Sequence, residues 1–548
     1  MTQIAAPSSV QADFHGVVLT NDGARFTLSR NNDEFWVRMQ PIPPPDSGAA
    51  APEGLAVRMG LVTGSHHMQV FWVPGDEGNT QLGFPFTWLI PERRWVPRNS
   101  TFVRPPDGVH HAEVWNVVCS RCHATGIEPR VDAQSRTVDT RAGELGIACE
   151  ACHGPGQRHT EARSNQRGQP GPPSAEVLAR EIVQPRKLPP QRGSQVCGFC
   201  HSMKWIDRSE PWRQSGFRFR PGDDLEQTTP IIRPAHVQET PGLAAYLARN
   251  PELLQDFFWP DGMIRVSGRD YNGLLDSPCY RGGRFSCFSC HSLHESDPDD
   301  QLARNRTGNG ACTQCHEKYR DEPALRGHAR HQPGSSGAEC YNCHMPHTTY
   351  GVLTAIRSHQ VSSPRVADEL ATGRPNACNL CHLDQTLAWT TDHLAEWYGQ
   401  PASPLPGGST DVAQAVHLAL AGDAGQRALI AWHLGWRAAH QASGTNWIAP
   451  ILGQLLDDPY AAVRCVAFRS LQVVAPGFEG YDYVPQPRTR QPARDAVWTR
   501  WQKEWPSDPN RPLPNRFVLV QPHDLPAQRQ AFDVWLTRRN ERPVRLRE

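Results

Sequence analysis

The sequence predicts a chain in three parts. A small β-rich domain comes first, then a long, mostly irregular body with short helices, then an α-helical region with an extended tail. Three observations carry that expectation. The pentapeptide Cys-x-x-Cys-His occurs seven times between residues 119 and 382. Only 38% of the 548 residues are apolar, while Gly (44) and Pro (50) are abundant. Beyond residue 411 the apolar positions fall three and four apart, the period of a helix.

Residues 12–105 contain none of the repeats. Segments 24–29, 34–39, 55–62, 68–73 and 84–90 are apolar or alternating, and Asn-Asn-Asp and Pro-Gly-Asp breaks separate them. These read as strands of a β-rich domain interrupted by the Pro-rich loop 41–52. Residues 106–395 form the body, with short helices expected at 113–122, 241–250 and 311–319. The stretch between His201 and Cys287 reads as an insertion that covers the site or shapes a cleft. Residues 411–475 read as paired helices at 412–421, 424–434, 447–456 and 460–474, similar to HEAT repeats, with Asp457-Asp458-Pro459 as a start signal. The Pro- and Arg-rich tail, 486–548, is expected to wrap the body in extended form.

The seven repeats are Cys119-Ser-Arg-Cys122-His123, Cys149-Glu-Ala-Cys152-His153, Cys197-Gly-Phe-Cys200-His201, Cys287-Phe-Ser-Cys290-His291, Cys312-Thr-Gln-Cys315-His316, Cys340-Tyr-Asn-Cys343-His344 and Cys378-Asn-Leu-Cys381-His382. This pattern attaches c-type haem. Two thiols form thioethers to the porphyrin and the adjacent His binds the iron. Zinc ribbons pair Cys-x-x-Cys without requiring His after each second Cys. Two residues between cysteines also make a strained, reactive disulfide. The expected cofactors are therefore seven covalently bound haems, and the fold class is a multihaem c-type cytochrome. Large flat apolar cofactors also compensate for the thin aliphatic content. The close spacings, first to second motif and fourth through sixth, point to neighbouring rings.

Seventeen of the 24 histidines lie outside the motifs. A second His on an iron makes a low-spin electron-transfer centre, whereas an open position suits catalysis. His159, His294 and His347 follow their motifs closely, which favours reaching a neighbouring haem. His359 and one of His328/His331, with His331 preferred, join the candidates. Upstream, His15 and one member of each doublet, His67 and His111, complete them. Met68, Met203, Met263 and Met345 are weaker rivals. His393, His417, His433, His440 and His523 read as structural histidines.

Lys plus Arg balances Asp plus Glu at 56 each, which gives no reason to expect nucleic acid or an anionic membrane as partner. Cys279 and Cys465 fall outside the motifs and are expected as buried thiols. No run of about 18 apolar residues exists, so no membrane span is expected. Met1–Val10 shows neither a basic nor a hydrophobic export region. Haem attachment of this type occurs outside the cytoplasmic membrane, and the motifs outweigh that silence. The expected location is periplasmic or extracellular.

Three segments resemble a family of bacterial multihaem c-type cytochromes. They are Cys-Glu-Ala-Cys-His-Gly-Pro-Gly-Gln-Arg-His (149–159), the run from His331 to Gly351 around Cys-Tyr-Asn-Cys-His-Met-Pro-His, and Gly-Arg-Pro-Asn-Ala-Cys-Asn-Leu-Cys-His (373–382). That family carries cytochrome c-552/4-type domains, often followed by HEAT or tetratricopeptide-like helices. The resemblance spans most of residues 12–475. It implies an exported electron-transfer protein and no particular substrate. Pentahaem nitrite reductases use Cys-x-x-Cys-Lys at the catalytic haem, and every motif here ends in His. Hydroxylamine-oxidising enzymes cross-link a Tyr to haem, and nothing marks Tyr271 or Tyr350 for that role. Two functional readings follow. In the first, a chain of mostly bis-His haems carries electrons between redox partner proteins, such as other cytochromes or a membrane complex. In the second, an oxidoreductase acts on a small nitrogen or sulfur species at one haem with an open position, the first or the third.

Overall fold

A computed structural model describes the chain except residues 44–52, 107–112, 136, 166–181, 295–296, 298–299, 479, 485–489, 505–513, 521–524 and 547–548. Nine strands form the N-terminal part: β1 (Thr2–Ile4), β2 (Val18–Asn21), β3 (Ala24–Asn31), β4 (Glu34–Pro41), β5 (Leu55–Arg58), β6 (Leu61–Thr63), β7 (Met68–Pro74), β8 (Gln81–Leu89) and β9 (Arg94–Pro97). They make two antiparallel sheets, ordered β2-β3-β4-β5 and β1-β6-β7-β8-β9. Asp22 and Gly23 join β2 to β3 with φ of 47° and 73°, the left-handed pair that a two-residue hairpin requires.

Alternation along β3 and β4 sends Phe26, Leu28, Phe35 and Val37 to one side. There they meet Phe71, Phe84, Phe86 and Trp95 of the other sheet in one aromatic-rich core. Edge-to-face contacts such as Phe14–Phe35 at 5.0 Å lock it.

The C-terminal region is helical: Gln414–Ala421, Ala424–His433, Arg437–Ser443, Ile448–Leu455 and Ala461–Val474. Asp423 and Gln426 form a reciprocal capping box at the second of these. The Asp457-Asp458-Pro459 signal has another use. Asp458 is fully buried and receives both Nε (2.6 Å) and Nη2 (3.1 Å) of Arg427, tying two helices together. This region shares one apolar core with Phe257, Trp259, Ile264, Tyr350 and Leu353 of the body. Arg265 of the body also pairs with buried Asp423 at 2.9 Å. The helices are thus the wall on which the body is built.

Three sequence expectations change. The tail forms helices Arg490–Glu504 and Leu525–Leu536 instead of an extended wrap. Val497, Trp498 and Trp501 make an apolar stripe, and Gly453 leaves room for Val497 against the Ile448–Leu455 helix. Pro492 sits in the first helical turn, where its missing N–H costs nothing. Residues 113–119 are not helical, because Val114 bridges to Leu82 and Trp115 N–H donates to Gln81 O. Only Ser120–His123 is helical there. Cys465 is buried as expected, but Cys279 is partly exposed. Among the described residues no helix is long and apolar enough to cross a membrane.

Candidate haem-binding sites

Each motif folds as a single helical turn. The backbone N–H of His123, His201, His291, His316 and His382 donates to the carbonyl of its first Cys at 2.9–3.0 Å. Motifs two and six form the short helices Cys149–His153 and Cys340–His344. The turn puts both thiols and the imidazole on one side, as attachment to a single planar cofactor requires.

Among the described residues, four motif imidazoles are aimed through their Nδ1 atoms, whereas His123 Nδ1 is buried with no hydrogen-bond partner. His153 Nδ1 meets Val183 O at 2.7 Å, His344 Nδ1 meets Ser362 O at 2.8 Å, and His291 Nδ1 meets Asp300 O at 3.2 Å. His201 Nδ1 meets the Asp270 carboxylate at 3.0 Å. Such partners fix the tautomer and leave Nε2 as the metal-binding atom.

Four motif histidines face a second imidazole. Ring centres lie 6.1 Å apart for His153–His294, 6.2 Å for His291–His359, 6.0 Å for His328–His344 and 6.0 Å for His331–His382. Two metal–nitrogen bonds of about 2 Å, with each nitrogen roughly 1 Å from its ring centre, put imidazoles sharing one metal ion about 6 Å apart. The residues present therefore fit haem iron held between paired histidines. Second members are aimed as well: His331 Nδ1 meets Ala329 O at 2.7 Å and His359 Nδ1 meets Arg357 O at 3.3 Å.

Both His328 and His331 face motif histidines, where the sequence reading allowed for one. His328 ends the Glu322–Ala329 helix, and Arg330 follows with φ 59°. That left-handed residue turns the chain, so the two rings point at different motifs. The remaining candidates lie elsewhere. His15 is exposed and pairs with Asp13 at 2.9 Å. His66 and His67 are exposed, and His159 lies on the Gln157–Asn165 helix behind the second motif. His111, with His110, falls outside the described residues. The ring neighbours of His347 are Trp432, Trp436 and His433 at 4.7, 5.2 and 6.0 Å. Burial there pushes the His347 imidazole down to about 2.

The motifs also touch one another. Thiols of Cys122 and Cys200, of Cys197 and Cys287, and of Cys312 and Cys340 are hydrogen-bond neighbours. Cys152 lies near Cys197, Cys290 near Cys312, and Cys343 near Cys378 and Cys381. In space the file runs first, third, fourth, fifth, sixth, seventh, with the second beside the third. The first motif packs on the third, and it also neighbours the second as the short spacing suggested: Ala124–Thr125 pairs with Glu144–Leu145, and Ala148 N–H, just ahead of Cys149, donates to Thr125 Oγ1 at 3.0 Å. Lys204 helps seal the first–third junction: its Nζ donates to Phe199 O at 2.5 Å and reaches Cys122 Sγ at 3.4 Å over the Phe199 and Phe217 rings. Burial lowers its pKa.

A family described as the doubled CXXCH motif matches residues 279–321, which hold the fourth and fifth motifs. That match supports covalent attachment of c-type haem at those two motifs. No curated protein matches the chain. Among solved structures, the outer cell wall cytochrome OcwA is similar at 16% identity, covering 80% of this chain and 88% of that one, with a TM-score of 0.39. A likeness of that size carries no argument.

Proposed function

We propose that this protein binds seven haems and works outside the cytoplasm as an electron conduit between redox partners. The observation that carries the reading is the set of imidazole pairs at 6.0–6.2 Å, because an iron closed by two histidines favours electron transfer over substrate binding. Bound haem supplies one-electron iron chemistry. The protein does the rest. Paired thiols would tether each cofactor, and His153, His291, His344 and His382 would hold its iron together with His294, His359, His328 and His331 as their respective partners. Carbonyl and carboxylate acceptors at Nδ1 hold the rings still, so little reorganises when charge changes. Contact between successive motifs keeps the cofactors in one uninterrupted file. The HEAT-like helices brace that file through Arg265–Asp423 and the shared apolar core, and the N-terminal sheets and C-terminal helices offer outer faces for partners.

The test is a count of haem and of spin state. Mass spectrometry of the holoprotein should give seven haems. Electron paramagnetic resonance of the oxidised form should be dominated by low-spin iron. A stoichiometric high-spin signal that shifts with nitrite, hydroxylamine or sulfite would favour the oxidoreductase reading.

A further inference from the structure

The Asp270 carboxylate stands between a histidine of the third motif and one that faces the fourth. Oδ2 meets His201 Nδ1 at 3.0 Å, and Oδ1 lies 3.4 Å from His359 Nδ1. His201 is the motif ligand of the third site, while His359 faces His291 of the fourth. One carboxylate thus reaches imidazoles that serve two neighbouring irons.

The surrounding structure builds this arrangement deliberately. Asp270 opens the helix Asp270–Asp276. That helix is fastened to the first ligand, since Tyr271 N–H donates to His201 O at 2.9 Å and Asn272 Oδ1 accepts from Met203 N–H at 2.7 Å. It is fastened equally to the second. Ser277 Oγ donates to His359 O at 3.1 Å and accepts from Val361 N–H at 2.9 Å. Gly273 lets the helix touch the His359–Gln360 backbone, where a Cβ would stand 2.8 Å from Gln360 N.

We propose that Asp270 is a positioning residue shared by two haems, holding His201 and His359 through their Nδ1 atoms and lowering both iron potentials together. A carboxylate accepting from Nδ1–H makes the imidazole a stronger donor at Nε2, which stabilises the ferric state. Motifs three and four are adjacent through Cys197 and Cys287, so the shared anion acts at one step of the file. The contact to His201 is the stronger. His359 Nδ1 hydrogen-bonds Arg357 O at 3.3 Å and has the carboxylate only as a charge 3.4 Å away, so the third haem feels the carboxylate more than the fourth.

This inference rests on the ligand assignment proposed above, and His359→Ala separates the two. One haem turning high-spin upholds the assignment whatever Asp270 does. An unchanged spin state overturns both the assignment and the shared role. Asp270→Asn, in the full-length holoprotein, then tests the carboxylate by spectroelectrochemical titration. Two couples should rise, that of the third haem by about tenfold in its oxidised-to-reduced ratio or 59 mV for one electron and that of the fourth by less, with no haem changing spin state. No shift, a shift of one couple, or an equal shift of every couple would overturn it. Gly273→Ala supplies an independent arm by pushing only the His359 side away. It should raise one couple and leave the His201 couple in place, and a variant with every couple unmoved would count against the proposal.

Discussion

His328 and His331 give the sharpest test of the proposed ligand geometry, because the chain places them three residues apart and aims them at the histidines of different motifs. His328 lies parallel to His344 within 4° at 6.0 Å, and His331 stands 6.0 Å from His382. Changing His328 to Ala removes one axial ligand while its backbone stays anchored by Tyr398 OH, which donates to His328 O at 2.6 Å. The stack on Tyr319 at 4.6 Å is also lost, but such a contact is worth about 1 kcal/mol, well below the roughly 5–15 kcal/mol that holds a domain. The fold should survive and one iron should open. If seven haems are bound, the high-spin fraction should rise above wild type by about one seventh in His328→Ala, the same in His331→Ala, and about two sevenths in the double variant. Electron paramagnetic resonance reads the oxidised form, and carbon monoxide binding reads the reduced one. A double variant no different from either single would mean that both histidines serve one iron. An unaltered low-spin spectrum in a single variant would remove that residue as a ligand.

Other consequences are equally measurable. Arg427→Leu strands the buried Asp458 carboxylate, and should lower stability by about 3–5 kcal/mol, read as a fall in the urea midpoint; a midpoint within error of wild type would show that the pair contributes nothing net. Burial raises Glu369 to about 7, against the donors from Gln414 and Asn376. A carboxyl whose folded pKa lies above its unfolded one contributes stability below about pH 4.5 that is lost as pH climbs through 7, here on the order of 3 kcal/mol. Glu369→Gln should flatten that decline, and an identical pH profile would refute the burial argument. Lys204→Met should lower the potential of a haem at the first–third junction by removing a cation beside Cys122, as seen in redox titration, whereas unmoved couples would make Lys204 a packing residue.

Much of the site was legible before any coordinates. Seven motifs state their own chemistry, because attachment needs two thiols and a His in one turn and leaves no freedom of spacing. That His294, His359 and His331 would face motif histidines could be expected from their places in the chain. His328 was harder, since its role depends on the left-handed turn at Arg330. An Arg at φ 59° carries no mark in the sequence. His347 illustrates the opposite case: its place behind the sixth motif looks like that of His294 behind the fourth, yet Trp432 and Trp436 from distant helices surround it. Asp270 is an ordinary acidic residue until folding sets it between His201 and His359. The tail was misjudged because Pro and Arg dominate its composition, while three apolar residues at helical spacing were enough to dock it.

The sequence alone determined the cofactor class, the motif turns that would hold it, the strand-forming alternation and the C-terminal helical period. All of these are local, fixed by residues within a few positions of one another. Which imidazole meets which motif, the order of the motifs in space and the carboxylate shared by two sites belong to the tertiary structure alone. Those pairings join residues tens to more than a hundred positions apart, and only packing of the helical wall against the body brings them within reach.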